Sequence, residues 1–343
     1  IPKDFPEKWQ KAYQVGRKMA DAYRYFMNEV LGEYGVLMLD ANDKRLKKCF
    51  IPVIKAELME GIAAKCIEKT NEALHQLDYP TQIQAREINL FYMTANMRNR
   101  IVRKGDFYEV LNTNLKFSEA EILQLAENEP EKFSPNVCLR PLYQEMILPN
   151  LAYFGGGAEV SYWLQLKGIF DYFGENFPAV LPRVGATIFR EREAEAWENL
   201  GLTLNQITYG SRMLNEFLLW KTKLWYKDEW REKVEKTLAA VSEVENYAKS
   251  VDENFGNSLR HHYNETLSAL GKLERKLKKN IIQKNLTVFE EARKIKLKVQ
   301  PDNSVQERVL SLAAFADVDF EKMFAALYAQ TEPLAYGHIY LKI

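Results

Sequence analysis

The sequence predicts an α/β protein: a parallel-sheet core with helical insertions and a long antiparallel α-helical coiled coil. Three observations predict it. Residues 150–183 read as strand, glycine turn, helix and strand, an order that makes a βαβ unit with parallel strands and a right-handed crossover. Apolar residues recur every three or four positions from Val234 to Phe255 and again from Leu259 to Ile281. That spacing gives two amphipathic helices joined near Gly256 and Asn257. The 343 residues are 47% apolar and 27% charged, sufficient for a sizeable core. At about 100–200 residues per domain, the length leaves room for two or three units.

The elements follow in chain order. Trp9, Tyr13, Met19, Tyr23, Phe26 and Val30 carry a helical period from Glu7 to Leu31, and Gly32 stops it. "GVLMLD" (35–40) is a buried-strand candidate, and a long helix is expected from about Asp43 to Gln76. "RIVRKGDFYEVL" reads as a hairpin turning at Lys104-Gly105-Asp106. Ser118 and Glu121 form an S-x-x-E capping box that opens a helix to about Asn128. Pro141 suits the first turn of a helix through Tyr143, Gln144 and Met146, where its missing N–H costs nothing. Strand "LAYF", a helix from Ala158 to Phe173 and strand "PAVLPR" complete the βαβ unit. Beyond the coiled coil, Ser304 and Glu307 have the spacing of a second capping box, opening a helix through Leu312. A further helix covers about Phe320 to Ala329, and "GHIYLKI" has strand character. The segments are 1–132, an α/β part with an insertion; 133–190, the βαβ core; 191–298, the helical region; and 299–343, a tail returning to the core.

Composition excludes several classes. The 47 basic and 47 acidic residues cancel, which argues against nucleic acid or an anionic membrane as partner. No apolar run approaches the ~20 residues of a spanning helix. Cys49, Cys66 and Cys138 are scattered and lack CxxC spacing, which fits a reducing, cytoplasmic setting better than a disulfide framework. His261 and His262 are sequence neighbours on a helix and point apart, so no metal site is expected there. The start, "IPKDFPEKW", lacks an initiator methionine and the features of a signal peptide, so a preceding segment is expected.

Candidate functional residues cluster around Gly155, Gly156 and Gly157. A helix N-terminus presents unpaired N–H groups and partial positive charge, and glycines let a ligand approach. The spacing matches neither GxGxxG nor a P-loop, and a tight strand-to-helix turn explains the glycines equally well. Glu159 in the first helical turn favours an amine or hydroxyl ligand over a bare phosphate. Asn136, Arg140 and Gln144 precede the glycine strand, and arginine suits a carboxylate or phosphate, although an internal ion pair is the simpler alternative. Arg183, ending "PAVLPR", belongs at the carboxyl edge of a parallel sheet, where ligands of open α/β sheets sit. Gln306 and Arg308 beside the tail cap are further anion candidates, with a plain helix start as the alternative.

Together, "FSPNVCLRPLYQEMILPNLAYFGGGAEVSYWLQLKGIFDYFG" and "FPAVLPRVGATIF" resemble the bacillithiol-biosynthesis cysteine-adding enzyme family, BshC. The "SPNV-LRP", "GG--E" and "Y--QLK" patterns carry the resemblance, and the tail "QPDNSVQERV" is similar to that family's "QERV" element. The resemblance implies a Rossmann-like core with helical connecting-peptide insertions and a coiled coil that forms a homodimer. It implies ligation of L-cysteine to the amine of glucosaminyl malate, with ATP or ADP as the associated nucleotide. Carried onto this sequence, it implies substrate contacts at Asn136, Arg140, Gly155, Gly156, Glu159, Tyr162, Gln165 and Arg183. It places Gln306, Glu307 and Arg308 near the nucleotide. Family members are longer and carry a "GQQ" loop and an "EDHDF"-type motif absent here, so the catalytic residues are expected outside this chain and the chain alone is expected to be inactive. The competing expectation is a scaffold whose coiled coil is its function, since long coiled coils usually exist to pair.

Overall fold

The computed structural model describes residues 5–223 and 225–343, apart from the side chains of 255–260. The chain divides into two compact units. The first runs to Val184 and takes back Glu332–Gly337, and the second is Gly185–Thr331 with His338–Ile343. The boundary therefore cuts the 133–190 segment that the sequence suggested.

The first unit opens with α1 (Glu7–Ala12) and α2 (Met19–Leu31), which meet through Trp9 and Phe26, ring centroids 4.1 Å apart. One helix was expected here; the left-handed Gly16 (φ +85°) lies between the two that form. Residues 35–40 form no strand. Leu37 and Leu39 are exposed, and an extended segment without a neighbour has nothing to satisfy its ladder. The long helix expected from Asp43 to Gln76 is divided into α3 (Lys44–Lys47), α4 (Ile51–Glu60) and α5 (Ile62–Gln76). Gly61 makes the second break at φ +59°, and a Cβ there would lie 2.9 Å from the Glu87 carbonyl oxygen.

Glu57, on α4, is fully buried and secures that break. Its carboxylate accepts from the Ala63 N–H (2.9 Å), the Asn89 N–H (2.7 Å) and Asn89 Nδ2 (2.8 Å). Burial raises its pKa, against the pull of these three donors.

The largest sheet is antiparallel, where a parallel core was expected. It comprises β1 (Leu90–Met93), β2 (Arg98–Lys104), β3 (Phe107–Val110), β4 (Lys116–Ser118) and β5 (Phe133–Pro135), in the order β4-β3-β2-β1-β5. Gly105 turns the expected hairpin at φ +60°. The Ser118–Glu121 capping box forms and starts α6 (Glu119–Asn128). Pro141 lies in the first turn of α7 (Arg140–Ile147). The βαβ unit is present on a smaller scale: β6 (Ala152–Gly155) pairs in parallel with β7 (Ala179–Pro182) as an isolated two-stranded sheet. Its crossover is two helices, α8 (Gly157–Trp163) and α9 (Lys167–Phe173), because Gln165 turns inward between them. Trp163 and Phe170 from this crossover share one core with Phe50, Ile54, Leu90, Tyr108 and Phe133. Sheet, helices and glycine turn are therefore packed as one body.

The second unit begins with β8 (Gly185–Phe189), followed by α10 (Glu191–Asn199) and α11 (Ser211–Lys221). Next comes a helical hairpin, α12 (Lys227–Val251) and α13 (Glu253–Lys284), whose helices pack along each other. It bends at Asp252 (φ −150°, ψ 116°), ahead of the expected Gly256–Asn257 joint, whose side chains lie outside the described residues, as do those of Phe255 and Leu259. α14 (Leu286–Val299), α15 (Gln306–Val309) and α16 (Phe320–Gln330) lead to β9 (His338–Lys342). That last strand pairs in parallel with β8, from Gly185 opposite His338 to Phe189 opposite Lys342. Trp197, Leu218, Trp225, Phe289 and Val299 form a second core. Among the described residues no helix is long and apolar enough to cross a membrane.

One buried charge makes the first unit's stability depend on pH. Lys47 is 2% exposed; its ammonium donates to the Phe133 carbonyl at 2.7 Å and lies 4.7 Å from the Tyr143 ring centroid. Burial, with the Arg98 charge adding to it, pushes its pKa down to about 8 from the ordinary 10.5. The unfolded chain holds this proton more tightly, so the penalty is complete below the folded value and is relieved as pH rises toward the unfolded one. Wild-type stability relative to Lys47→Met should rise above about pH 8, by up to about 1.4 kcal/mol per pH unit. Urea unfolding of both proteins across that range checks this; parallel stability curves would refute it.

Candidate functional site

The glycine turn is built by the end of β6 and the start of α8. Its register is fixed by the parallel pairing of Gly155 with Pro182 and by Arg183 N–H donating to the Gly155 carbonyl at 2.8 Å. The three glycines are not equivalent. A Cβ on Gly155 would lie 3.0 Å from the Tyr153 ring and 3.1 Å from Glu159 Cβ. On Gly156 it would lie 3.7 Å from Glu159 Oε2 and 3.8 Å from the Arg183 guanidinium, and on Gly157 it would meet open space. Close packing thus requires glycine only at 155.

Glu159 lies in the first turn of α8, as expected. It folds back over the turn: Oε2 accepts from Gly156 N–H at 2.8 Å and Oε1 from the Tyr153 hydroxyl at 3.1 Å. The start of α8 therefore already carries its own anion, which discourages a phosphate there. Arg140 donates to Gln144 Oε1 at 3.1 Å and to the Tyr162 hydroxyl at 3.3 Å. Burial works against its charge, but the hydroxyls of Tyr162 and Tyr153 more than offset that, and the pKa is raised. Among the described residues no carboxylate pairs with Arg140. Burial in turn raises the Tyr153 pKa, with Arg140 opposing it. The structure thus assembles Arg140, Gly155, Gly156, Glu159, Tyr162 and Arg183 around one turn. It adds Tyr153, a residue the sequence reading missed; its place two residues before the first glycine, on the same strand, was the available signal.

Two other candidates have structural roles instead. Gln165 is fully buried, and its amide is saturated. Oε1 accepts from Gln82 N–H (2.8 Å) and Ile83 N–H (3.0 Å), while Nε2 donates to Asn71 Oδ1 (2.6 Å) and the Ile83 carbonyl (2.9 Å). No donor hydrogen is left for a substrate. Asn136 is partly committed: Nδ2 donates one hydrogen to Asn89 Oδ1 at 2.8 Å, and Oδ1 accepts from Cys138 N–H at 2.8 Å.

In the second unit, the three tail residues differ in their surroundings. Gln306 is 4% exposed; its Oε1 accepts from Ile188 N–H (2.8 Å), and Nε2 donates to the carbonyls of Ile188 and Val299 (2.9 Å each). Drawing this amide inward starts α15 at Gln306 with the extended Val305 as its N-cap, so the Ser304–Glu307 capping box does not form. Glu307 brings negative charge toward His338, whose ring accepts or donates at 2.8 Å with Thr187 Oγ1. Arg308 is exposed. The Gln306 amide has no donor hydrogen left for a phosphate, and of the three residues only Arg308 carries positive charge.

Two family models match consecutive parts of the chain. "Bacillithiol biosynthesis BshC, N-terminal Rossmann-like domain" matches residues 2–184, and "Bacillithiol biosynthesis BshC, C-terminal coiled-coil domain" matches residues 186–343. The chain belongs to the BshC family. The junction of the two models coincides with the boundary between the two structural units. Relatives named "Putative cysteine ligase BshC" include those of Flavobacterium psychrophilum, 35% identical over 94% of this chain and 60% of the relative, and Cytophaga hutchinsonii, 33% identical over 98% and 64%. The Bacillus licheniformis relative is 26% identical over 86% of this chain and 56% of its own length. This BshC chain thus spans about 60% of the length of the curated relatives it matches.

The unequal glycines lead to a stability test. Gly155→Ala should destabilise the protein by about 1–3 kcal/mol through overpacking against Tyr153 and Glu159. Gly157→Ala should leave stability unchanged or raise it by up to about 1 kcal/mol. Denaturant midpoints decide, and equal values for the two variants would contradict the assigned packing.

Proposed function

We propose that this chain is part of a ligase that joins L-cysteine to the amine of glucosaminyl malate in bacillithiol biosynthesis, with the glycine turn forming one wall of the substrate site. Membership of the BshC family carries the reading, and the charge arrangement at the turn supports it. Amide formation requires a carboxyl carbon and an unprotonated amine held in contact, with the remaining charges of both partners matched. Glu159, held by Gly156 N–H and the Tyr153 hydroxyl, retains acceptor capacity for an amine or sugar hydroxyl. Arg140, faced by neutral acceptors, and Arg183, flanking Gly156, are suited to substrate carboxylates. Orientation by such pairs is the contribution assigned to these residues; the groups that activate cysteine are assigned elsewhere in the whole protein.

The test uses the full-length protein in cells that depend on it for bacillithiol. Glu159→Gln and Arg183→Ala should each lower bacillithiol at least about tenfold, the scale of one lost charge-assisted contact. Glucosaminyl malate should accumulate. Normal thiol levels with both variants would remove the turn from the site.

The hairpin supports a homodimer. Val244, Tyr247 and Val251 on α12 and Leu273 and Leu277 on α13 are exposed at helical spacing, apolar stripes suited to a second copy. Sedimentation equilibrium should give a dimer for the wild type and a monomer for Leu273→Glu/Leu277→Glu. A variant that remains dimeric would argue for another interface. A pairing role alone, without catalysis, would leave bacillithiol unaffected by both turn variants.

A further inference from the structure

A separate cleft of about 330 Å³ lies in the first unit along β1 and β2, lined by Arg86, Phe91, Arg98, Asn99, Arg100 and Asn112, among others. That volume is at the lower end of small-ligand sites, which run from about 300 to 1,000 Å³. None of its lining residues is acidic. The register places Phe91 opposite Arg100, and the alternation of a strand puts Arg98 on the same face as Arg100.

The three arginines are held in different ways. Arg98 is fixed: Nε donates to Ser134 Oγ and Nη2 to the Pro135 carbonyl, both at 3.0 Å, while its guanidinium carbon lies 3.8 Å from the Phe91 ring centroid. Burial lowers its pKa, with no opposing anion. Arg100 lines the cleft, and its buried Nε has no hydrogen-bond partner among the protein groups. Arg86 is exposed. Among the described residues no carboxylate pairs with any of the three. The asparagine side chains of 89 and 136, also in the lining, are bonded to each other at 2.8 Å and give that wall a fixed form.

Grouped guanidinium charges with no counter-charge, one with an unused buried N–H, form an arrangement that an anion would complete. Their like charges repel one another unless a counter-charge lies among them. We propose that this cleft binds a small oxyanion, a carboxylate or phosphate group, with Arg100 and Arg98 as its principal donors and Arg86 adding charge. The glycine turn takes no part in it, so the proposal does not rest on the ligase reading.

Isothermal titration and thermal shift on the 343-residue chain test it, with L-malate and citrate as carboxylate probes and inorganic phosphate and pyrophosphate as phosphate probes. All are compared at one ionic strength set with sodium chloride. Saturable binding is expected, weakening as salt rises. Arg100→Met and Arg86→Ala should each weaken it roughly tenfold, the loss of one charge-assisted contact. Circular dichroism checks the fold of Arg100→Met, and the exposed Arg86 provides a variant that leaves the core untouched. Binding of the two organic acids alone identifies a carboxylate ligand, and binding of the two inorganic probes alone a phosphate ligand. No saturable binding by any of the four, or affinity that neither variant changes, overturns the proposal.

Discussion

The first unit depends on one buried carboxylate. Glu57 bonds to Ala63 just beyond the left-handed Gly61, and to Asn89 at the entry to β1. Asn89 in turn bonds Asn136, whose segment leads from β5 into α7. One acid therefore fixes a helix break, the start of the sheet and the approach to Arg140. An ionised group with no exposed surface is costly unless its acceptor sites are filled. Here three donors bond it while burial still raises its pKa, so removing any one would raise the cost of ionising it further. The same linkage sets one wall of the arginine-lined cleft, so its shape follows from how Glu57 is satisfied.

The two groups of candidate residues differ in electrostatics. At the glycine turn, acid, phenol and arginine are interleaved, and Glu159 supplies the negative charge that the helix start would otherwise seek. In the cleft along β1 and β2 only cations are present. The first arrangement brings both signs of charge to one turn. The second can only select for negative charge.

Much of the local structure was legible in the sequence because its causes are local. The Lys104-Gly105-Asp106 turn, the Ser118 cap and Pro141 at its helix start each follow from a few adjacent residues, and the β6–β7 pairing from one βαβ stretch. The family was legible as well, through motifs around the glycines. Longer-range features were not. An apolar run such as 35–40 reads as a strand, yet a strand exists only where a partner supplies hydrogen bonds. In the five-stranded sheet β1 to β4 pair in sequence through short connections, while β5 returns from beyond α6 to pair with β1, and a βαβ motif elsewhere in the chain reveals neither. Gln165 and Gln306 illustrate the difficulty at single residues. An amide in a family motif suggests a ligand contact, but each bonds mainly to groups far away in sequence, and only the folded chain shows those partners.

The β8–β9 pair also has a consequence for how the protein is made. Thr187 and His338, in contact across it, are separated by 151 positions. Until the ribosome has added that intervening chain, β8 has an edge and no neighbour, while the helices between them have already emerged. Closing so distant a pair is a late and slow event, because its loop entropy must be overcome before the contact forms. During that interval the unpaired edge is open to strands of other chains. The second unit is thus most exposed to misassembly on the ribosome, before its last strand arrives.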